Sequence, residues 1–167
     1  MEAECFASKK WVPPPCGWLK VNMDVAIRQN GSYIAIFVRD SYSSLCLVYI
    51  ERLVAMDPIV REAFAWAEAV SLARWLKWDK VLFECDSLLV CKDVLFGEPP
   101  QLWAASGMVE HIWFCLLECH DWRIAWVSRK CNLQAHLLAG WAARFGIVGF
   151  VPFSIIPEHI RGCDMHP

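Results

Sequence analysis

Hydrophobic and polar residues alternate along the first third of the chain. In residues 19–27 every second side chain is apolar, which is typical of a half-buried β-strand. Turn-forming residues follow at 29–31, and a second apolar segment covers 32–39. A further turn at 41–44 precedes a third apolar segment at 45–53. The pattern predicts an antiparallel meander of three strands.

After residue 56 the period of the apolar positions changes. Asp57 and Pro58 form a typical helix start, and helical spacing continues to Lys77. Beyond it the pattern predicts two short strands, at 80–85 and 122–127, and three helices, at 86–96, 103–119 and 133–145. Strands that alternate with helices are joined as parallel neighbours. We therefore expect an α/β fold with a five-stranded mixed sheet and helices on both faces.

The two ends of the chain differ from its middle. Residues 1–17 end in three consecutive prolines, which cannot join a helix or a central strand, so an extended arm is expected there. Residues 147–167 are punctuated by Pro and Gly and are expected to form a tail over the surface. Residues 18–146 remain as one domain, the number that 167 residues predict.

Composition excludes some classes of protein. With 57% hydrophobic residues the chain is too apolar to be disordered. Its least charged stretch, 145–156, contains Pro152 and is far shorter than the ~20 residues that a membrane span needs. The nine cysteines form no CxxC pair, and the N-terminus has no apolar signal segment. We expect an intracellular protein of the nucleus or cytoplasm, neither secreted nor membrane-bound.

Net charge alone argues against a nucleic-acid partner. The formal value of −2 provides no strong basic field that would attract nucleic acid non-specifically. Local basic patches are still compatible with this total.

Two aspartates lie where carboxylates are unusual or often functional. Asp24 interrupts an otherwise apolar strand, and a buried carboxylate needs a cation, a basic partner or water. The alternative is a solvent-facing Asp24 on a half-exposed strand. Asp86 follows the fourth strand, and sites in α/β sheets gather at the carboxyl ends of strands. It is also a candidate N-cap for the next helix.

Two glutamates and a histidine are weaker candidates. Glu62 and Glu68 lie on nearly opposite sides of the first long helix, and each suits a solvated face as well as a site. His136 lies near the start of the last helix, where a structural histidine is the alternative. As a set, however, carboxylates from several elements suit a pair of divalent ions that act on a phosphodiester.

The order of elements and the positions of these acids resemble type 1 ribonuclease H. The closer resemblance is to plant RNase H-like domains of retrotransposon reverse transcriptases and to free-standing proteins derived from them. The resemblance rests on five segments: PPPCGWLKVNMDVA (13–26), VRDSYSSL (38–45), REAFAWAEAVSLA (61–73), VLFECDS (81–87) and VSRKCNLQAHLLA (127–139).

The resemblance implies a metal-dependent endonuclease that hydrolyses the RNA strand of RNA–DNA hybrids. It places Asp24, Glu62 and Asp86 at the first three metal-binding acids and His136 at the fourth position, with Mg²⁺ or Mn²⁺ as the cofactor in a two-metal site. The residues expected to contact substrate are Asn22, Ser87, Asn132, Arg129 and Lys130. We expect the protein to be a monomer.

Two positions depart from the family pattern. The glycine that usually follows the first aspartate is Val25, and the usual fourth aspartate is His136. Three hypotheses therefore stay open: a nuclease, a catalytically impaired domain that binds nucleic acid or a protein without cutting, and a retrotransposon relic. The choice between Glu62 and Glu68 as the second acid also stays open.

Overall fold

A mixed β-sheet runs through the computed structural model, which describes residues 10–54, 57–97 and 103–162. Its strands are β1 (Leu19–Arg28), β2 (Gly31–Arg39), β3 (Leu45–Leu53), β4 (Val81–Cys85), β5 (Trp122–Trp126) and β6 (Gly149–Phe150). They lie in the order β5-β4-β1-β2-β3-β6. β1, β2 and β3 pair antiparallel, and β4 pairs parallel with both β1 and β5. The predicted meander followed by parallel strands is confirmed. The prediction of five strands is corrected to six, because β6 pairs antiparallel with β3.

Five α-helices accompany the sheet in these ranges. They are α1 (Pro58–Trp75), α2 (Leu88–Phe96), α3 (Ser106–Glu118), α4 (Leu133–Phe145) and α5 (Glu158–Arg161). Short 3₁₀ helices cover Trp103–Ala105, Arg129–Asn132 and Phe153–Ile155. The Asp57 side chain caps α1 by accepting a hydrogen bond from the Ile59 amide at 2.9 Å, as the Asp-Pro start predicts. Ser87 occupies the N-cap position of α2, which leaves Asp86 outside the helix.

Two hydrophobic cores lie on opposite faces of the sheet. One core packs α1, α2 and α3 against β1, β2, β4 and β5 around the fully buried Trp66. The other core packs α4 against β2 and β3. All nine residues of β2 are buried, as expected of a central strand covered on both faces. The prediction of helices on both faces is confirmed.

The C-terminal segment differs from the expected surface tail. Within residues 147–162, β6 extends the sheet, and Val151, Ile156 and Ile160 are buried in the second core. The Gln134 side chain of α4 also donates hydrogen bonds to the backbone carbonyls of Ile160 and Arg161. The Pro and Gly residues break the regular elements here, but the apolar residues between them still pack inward. Residues 163–167 lie outside the described part of the chain.

The proline arm is described from Lys10 onward. Trp11 is buried against the sheet, and the segment then reaches β1. Among the helices of the described ranges, none combines the length and the apolar content that crossing a membrane requires.

Candidate active site

Asp24 and Asp86 lie at the same end of two neighbouring strands. β1 and β4 run parallel with Asn22 opposite Glu84, so two residues further along Asp24 lies near the point where Asp86 follows β4. Asp24 is 2% exposed. Burial raises the pKa of the Asp24 carboxyl, and the negative charge of Asp86 raises it further. The sheet alone therefore brings two of the predicted acids together.

Glu62 reaches the same place from α1. Burial and, to a smaller extent, the charges of Asp24 and Asp86 raise the pKa of Glu62 to about 8. Arg129 and Arg61 act in the opposite direction without cancelling it. Glu62 Oε2 is buried and has no hydrogen-bond partner among the described residues. A buried carboxylate oxygen without a donor is costly and suits a position beside a cation.

Glu68 has different neighbours. Burial raises the pKa of Glu68 and the charge of Glu51 on β3 adds to the rise, whereas neither Asp24 nor Asp86 contributes. Of the two glutamates considered from the sequence, Glu62 is thus the one that faces the aspartates.

His136 lies against Asp24. Its Nδ1 is 2.7 Å from Asp24 Oδ2, and this hydrogen bond opposes the rise in the pKa of Asp24. Helix α4 begins at Leu133, directly after the 3₁₀ turn, and His136 is on its first turn. His136, at the position that resembles the fourth acid, therefore forms a hydrogen bond with Asp24, which resembles the first acid.

Arg129 lies against Asp86. The two side chains form an ion pair with Arg129 Nε 3.0 Å from Asp86 Oδ2, and the arginine is largely exposed while the carboxylate is not. Its positive charge also lowers the pKa of Glu62. The predicted contact residue Arg129 is thus part of the acid cluster in this structure.

Asn22 and Asn132, which the sequence places among the expected substrate contacts, form hydrogen bonds within the protein in this structure. Both are almost fully buried, and Asn22 Nδ2 donates to Asn132 Oδ1 at 3.2 Å. Asn132 Nδ2 donates to the Met23 carbonyl at 2.9 Å, and Asn22 Oδ1 accepts from the Trp11 indole N–H at 2.9 Å. These bonds tie the start of α4 to β1, next to the pairing of His136 with Asp24.

The two other predicted contact residues are closer to the surface. Ser87 is half-buried and lines a small cavity together with Glu62 and Val25. Lys130 is exposed on the 3₁₀ turn. Ser87 therefore lies beside the acids, and Lys130 directly follows Arg129 in the chain.

The acids open into a long groove. Its volume is about 1410 Å³, and Glu62, Arg129 and His136 lie at one part of it. From there the groove follows β1 and α4 to Arg28 and Trp141. Trp141 and Phe145 were not singled out from the sequence. Their spacing of four positions in a predicted helix is the sequence signal that could have found them, because it places both aromatic side chains on one face.

The acid cluster suits a hard divalent cation in its chemistry. Mg²⁺ prefers carboxylate oxygens, and Glu62 Oε2 is a buried one without a donor. Within the described ranges no three side chains of His, Cys, Asp or Glu stand close enough together to form a metal-binding group as they are. Asp24 and Asp86 already have His136 and Arg129 as partners. The residue types fit such an ion, which would compete with His136 for Asp24 and with Arg129 for Asp86.

Comparison with known proteins assigns the family. The model of the family described as "Reverse transcriptase-like" matches residues 22–142. The chain belongs to this family. The matched range includes Asp24, Glu62, Asp86 and His136. A search of curated proteins finds no match.

Solved RNase H structures share the fold of this family member. RNase H1 from Halobacterium salinarum NRC-1 matches with a TM-score of 0.69 and 19% identity, covering 77% of this chain and 98% of the other. An RNase H domain from Mycobacterium tuberculosis matches at 0.66 and 16%, covering 78% and 99%. LC11-RNase H1 in complex with an RNA/DNA hybrid, an enzyme isolated from compost by a metagenomic approach, matches at 0.67 and 15%, covering 77% and 98%. At these identities the likeness shows the RNase H-like fold.

Proposed function

We propose that this protein is a metal-dependent endonuclease that hydrolyses the RNA strand of RNA–DNA hybrids. The observation that supports it most is the acid cluster, in which burial together with the charges of Asp24 and Asp86 raises the pKa of Glu62 to about 8, while Glu62 Oε2 has no partner in the described chain. A similar fold occurs in RNase H1 bound to an RNA/DNA hybrid. The five segments that resemble plant retrotransposon-derived domains support an origin of that kind. One chain supplies all the acids, so a monomer suffices.

In this proposal Asp24, Glu62 and Asp86 bind Mg²⁺ or Mn²⁺. The ions, when bound, neutralise the carboxylates, polarise the phosphate and activate water. His136 orients Asp24 through the hydrogen bond at Nδ1. Its other ring nitrogen can exchange a proton with a molecule bound in the groove that His136 lines. Arg129 neutralises Asp86 and offers a positive charge at the groove for a backbone phosphate.

The test is cleavage of a labelled hybrid with Mg²⁺ or Mn²⁺ by the purified protein. Asp24→Asn should lower the cleavage rate roughly a hundredfold or more, which corresponds to a barrier increase of about 2.7 kcal/mol. Glu62→Gln should have a similar effect. Glu68→Gln is the matched control on the same helix and should leave the rate unchanged. A folded wild-type protein that cuts no hybrid with either metal contradicts the proposal.

The second candidate is a domain that binds hybrids without cutting them. The two internal pairs, Asp24 with His136 and Asp86 with Arg129, favour it because they satisfy two of the acids without a metal. Under this alternative, wild type and Asp24→Asn bind a hybrid equally, with a steep dependence on salt, and neither cleaves it. Cleavage that appears only in His136→Asp would identify the histidine as the cause of the lost activity.

A further inference from the structure

The groove continues well beyond the acids, and its continuation has an aromatic wall. Trp141 and Phe145, one turn apart on α4, line it with ring centroids 6.3 Å apart at an angle of 54°. Trp141 packs partly against the second core, and Phe145 is 62% exposed. A half-buried Trp141 and an exposed Phe145 on the wall of the groove offer flat apolar faces to a ligand.

The groove is rich in positive charge. Arg28 and Arg144 line its aromatic stretch, and Arg129, which is paired with Asp86, lines its acid end, whereas Glu62 is its one carboxylate among the described residues. Arg28 extends across the groove from β1, since a side-chain carbon at Gly140 would lie 3.9 Å from its Nη2. The Arg144 guanidinium lies over the Phe145 ring, 5.5 Å from its centroid. In a chain of net charge −2, this concentration of cations is complementary to a polyanion.

Aromatic faces beside cations match one form of nucleic acid better than others. Bases in a duplex are stacked on one another, so their faces are closed to side chains. Unpaired bases can stack on Trp and Phe while arginines follow the phosphates. We propose that the Trp141–Phe145 end of the groove binds unpaired nucleotides, so that the preferred substrate is a hybrid with a single-stranded extension. This inference rests on the proposed function for the duplex part of the substrate.

The spacing along α4 makes the proposal quantitative. Nine residues separate His136 from Phe145, which at about 1.5 Å per residue is roughly 13 Å along the helix. With a rise of about 3.4 Å per nucleotide in one strand, this distance corresponds to about four nucleotides. By the same measure Trp141, five residues from His136, lies about two nucleotides away, so the junction between duplex and single strand should lie within about four base pairs of the phosphate that is cut.

Binding measured in a chelator separates this inference from catalysis. Fluorescence anisotropy compares a blunt hybrid with the same hybrid extended by several unpaired nucleotides on either strand. The extension should tighten binding about tenfold, the effect expected of one stacked base. Trp141→Leu and Phe145→Leu should each remove most of this gain while binding of the blunt hybrid stays the same. Trp75→Leu, which changes an aromatic residue that is 70% exposed outside the groove, should keep the gain.

The outcomes distinguish the two proposals. Equal affinity for blunt and extended hybrids, or an equal loss in Trp75→Leu, overturns the inference even if the protein cuts hybrids. A tighter extended hybrid that is never cut with Mg²⁺ or Mn²⁺ supports the inference and contradicts the proposed function. Where cleavage occurs, cuts mapped within about four base pairs of the junction support the inference, and cuts spread evenly along the duplex contradict it. Failure to bind either hybrid in the chelator at low salt overturns the inference, whereas the proposed function is tested by the cleavage assay with metal.

Discussion

Two glutamates of α1, six residues apart, differ in the charges around them. Glu62 faces Asp24 and Asp86, while Glu68 belongs with Glu51 and Tyr49 on the other side of the helix. Tyr49 O–H donates to Glu51 Oε2 at 2.5 Å. This hydrogen bond, burial and the charges of Glu51 and Glu68 raise the pKa of Tyr49 to about 12, because a phenolate there would have no proton to donate to Glu51 and would meet like charges.

The pKa of Tyr49 therefore indicates which of the two glutamates lies on the side of α1 that faces Tyr49. Glu51→Gln should return the pKa of Tyr49 toward its ordinary value of about 10, and Glu68→Gln should lower it by a smaller amount. Glu62→Gln should leave it unchanged. Ultraviolet absorbance of the phenolate between about pH 9 and 13 measures this, with Tyr49→Phe identifying the signal. An equal response to Glu62→Gln and Glu68→Gln would contradict the assignment of neighbours.

Sequence reasoning located the acids better than it located their partners. Asp24 and Asp86 could be placed because the period of β1 and the end of β4 are local properties of the chain. The partnership of Arg129 with Asp86 and the burial of Asn22 by Trp11 depend on contacts between distant segments. No local pattern contains that information, so the internal hydrogen bonds of Asn22 and Asn132 were not predicted.

At the scale of elements, the N-terminal arm covers a buried polar cluster. The Trp11 ring stacks on Arg39, whose guanidinium carbon is 3.4 Å from the ring centroid, and donates to Asn22. Beneath it Lys20 Nζ forms a buried ion pair with Glu84 Oε1 at 2.8 Å. A buried ion pair contributes little net stability itself, but it is costly when its surroundings admit water or remove a partner. The arm thus closes one end of the sheet beside the acids.

Removing the indole should destabilise the whole domain. Trp11→Ala should lower the free energy of unfolding by about 3 kcal/mol or more, because a large buried ring is lost and the polar cluster is uncovered. Trp11→Phe should cost about 1 kcal/mol, mainly the hydrogen bond to Asn22. Val12→Ala is the control, since Val12 is exposed, and should change stability by less than about 0.5 kcal/mol. Denaturant unfolding measures all three, and equal values for Trp11→Ala and Val12→Ala would show that the arm is not part of the folded unit.

At the scale of the whole molecule, the high apolar content is largely used by two cores. A sheet covered on both faces needs apolar residues on both sides of its central strands, and β2 is buried throughout. The element order predicted this arrangement. The sixth strand and the packing of residues 149–162 were not predicted. A strand of two residues shows no period in the sequence, and isolated apolar residues between prolines are typical of a loop.

Two neighbouring isoleucines test whether this C-terminal segment belongs to the fold. Ile156 is 1% exposed in the second core, and Ile155 beside it is 51% exposed. Ile156→Ala should lower the free energy of unfolding by about 2–4 kcal/mol, and Ile155→Ala by less than about 0.5 kcal/mol. Thermal or denaturant unfolding gives both values. A tail lying loosely over the surface would make the two substitutions equivalent, whereas a segment that completes the second core makes only the first one costly.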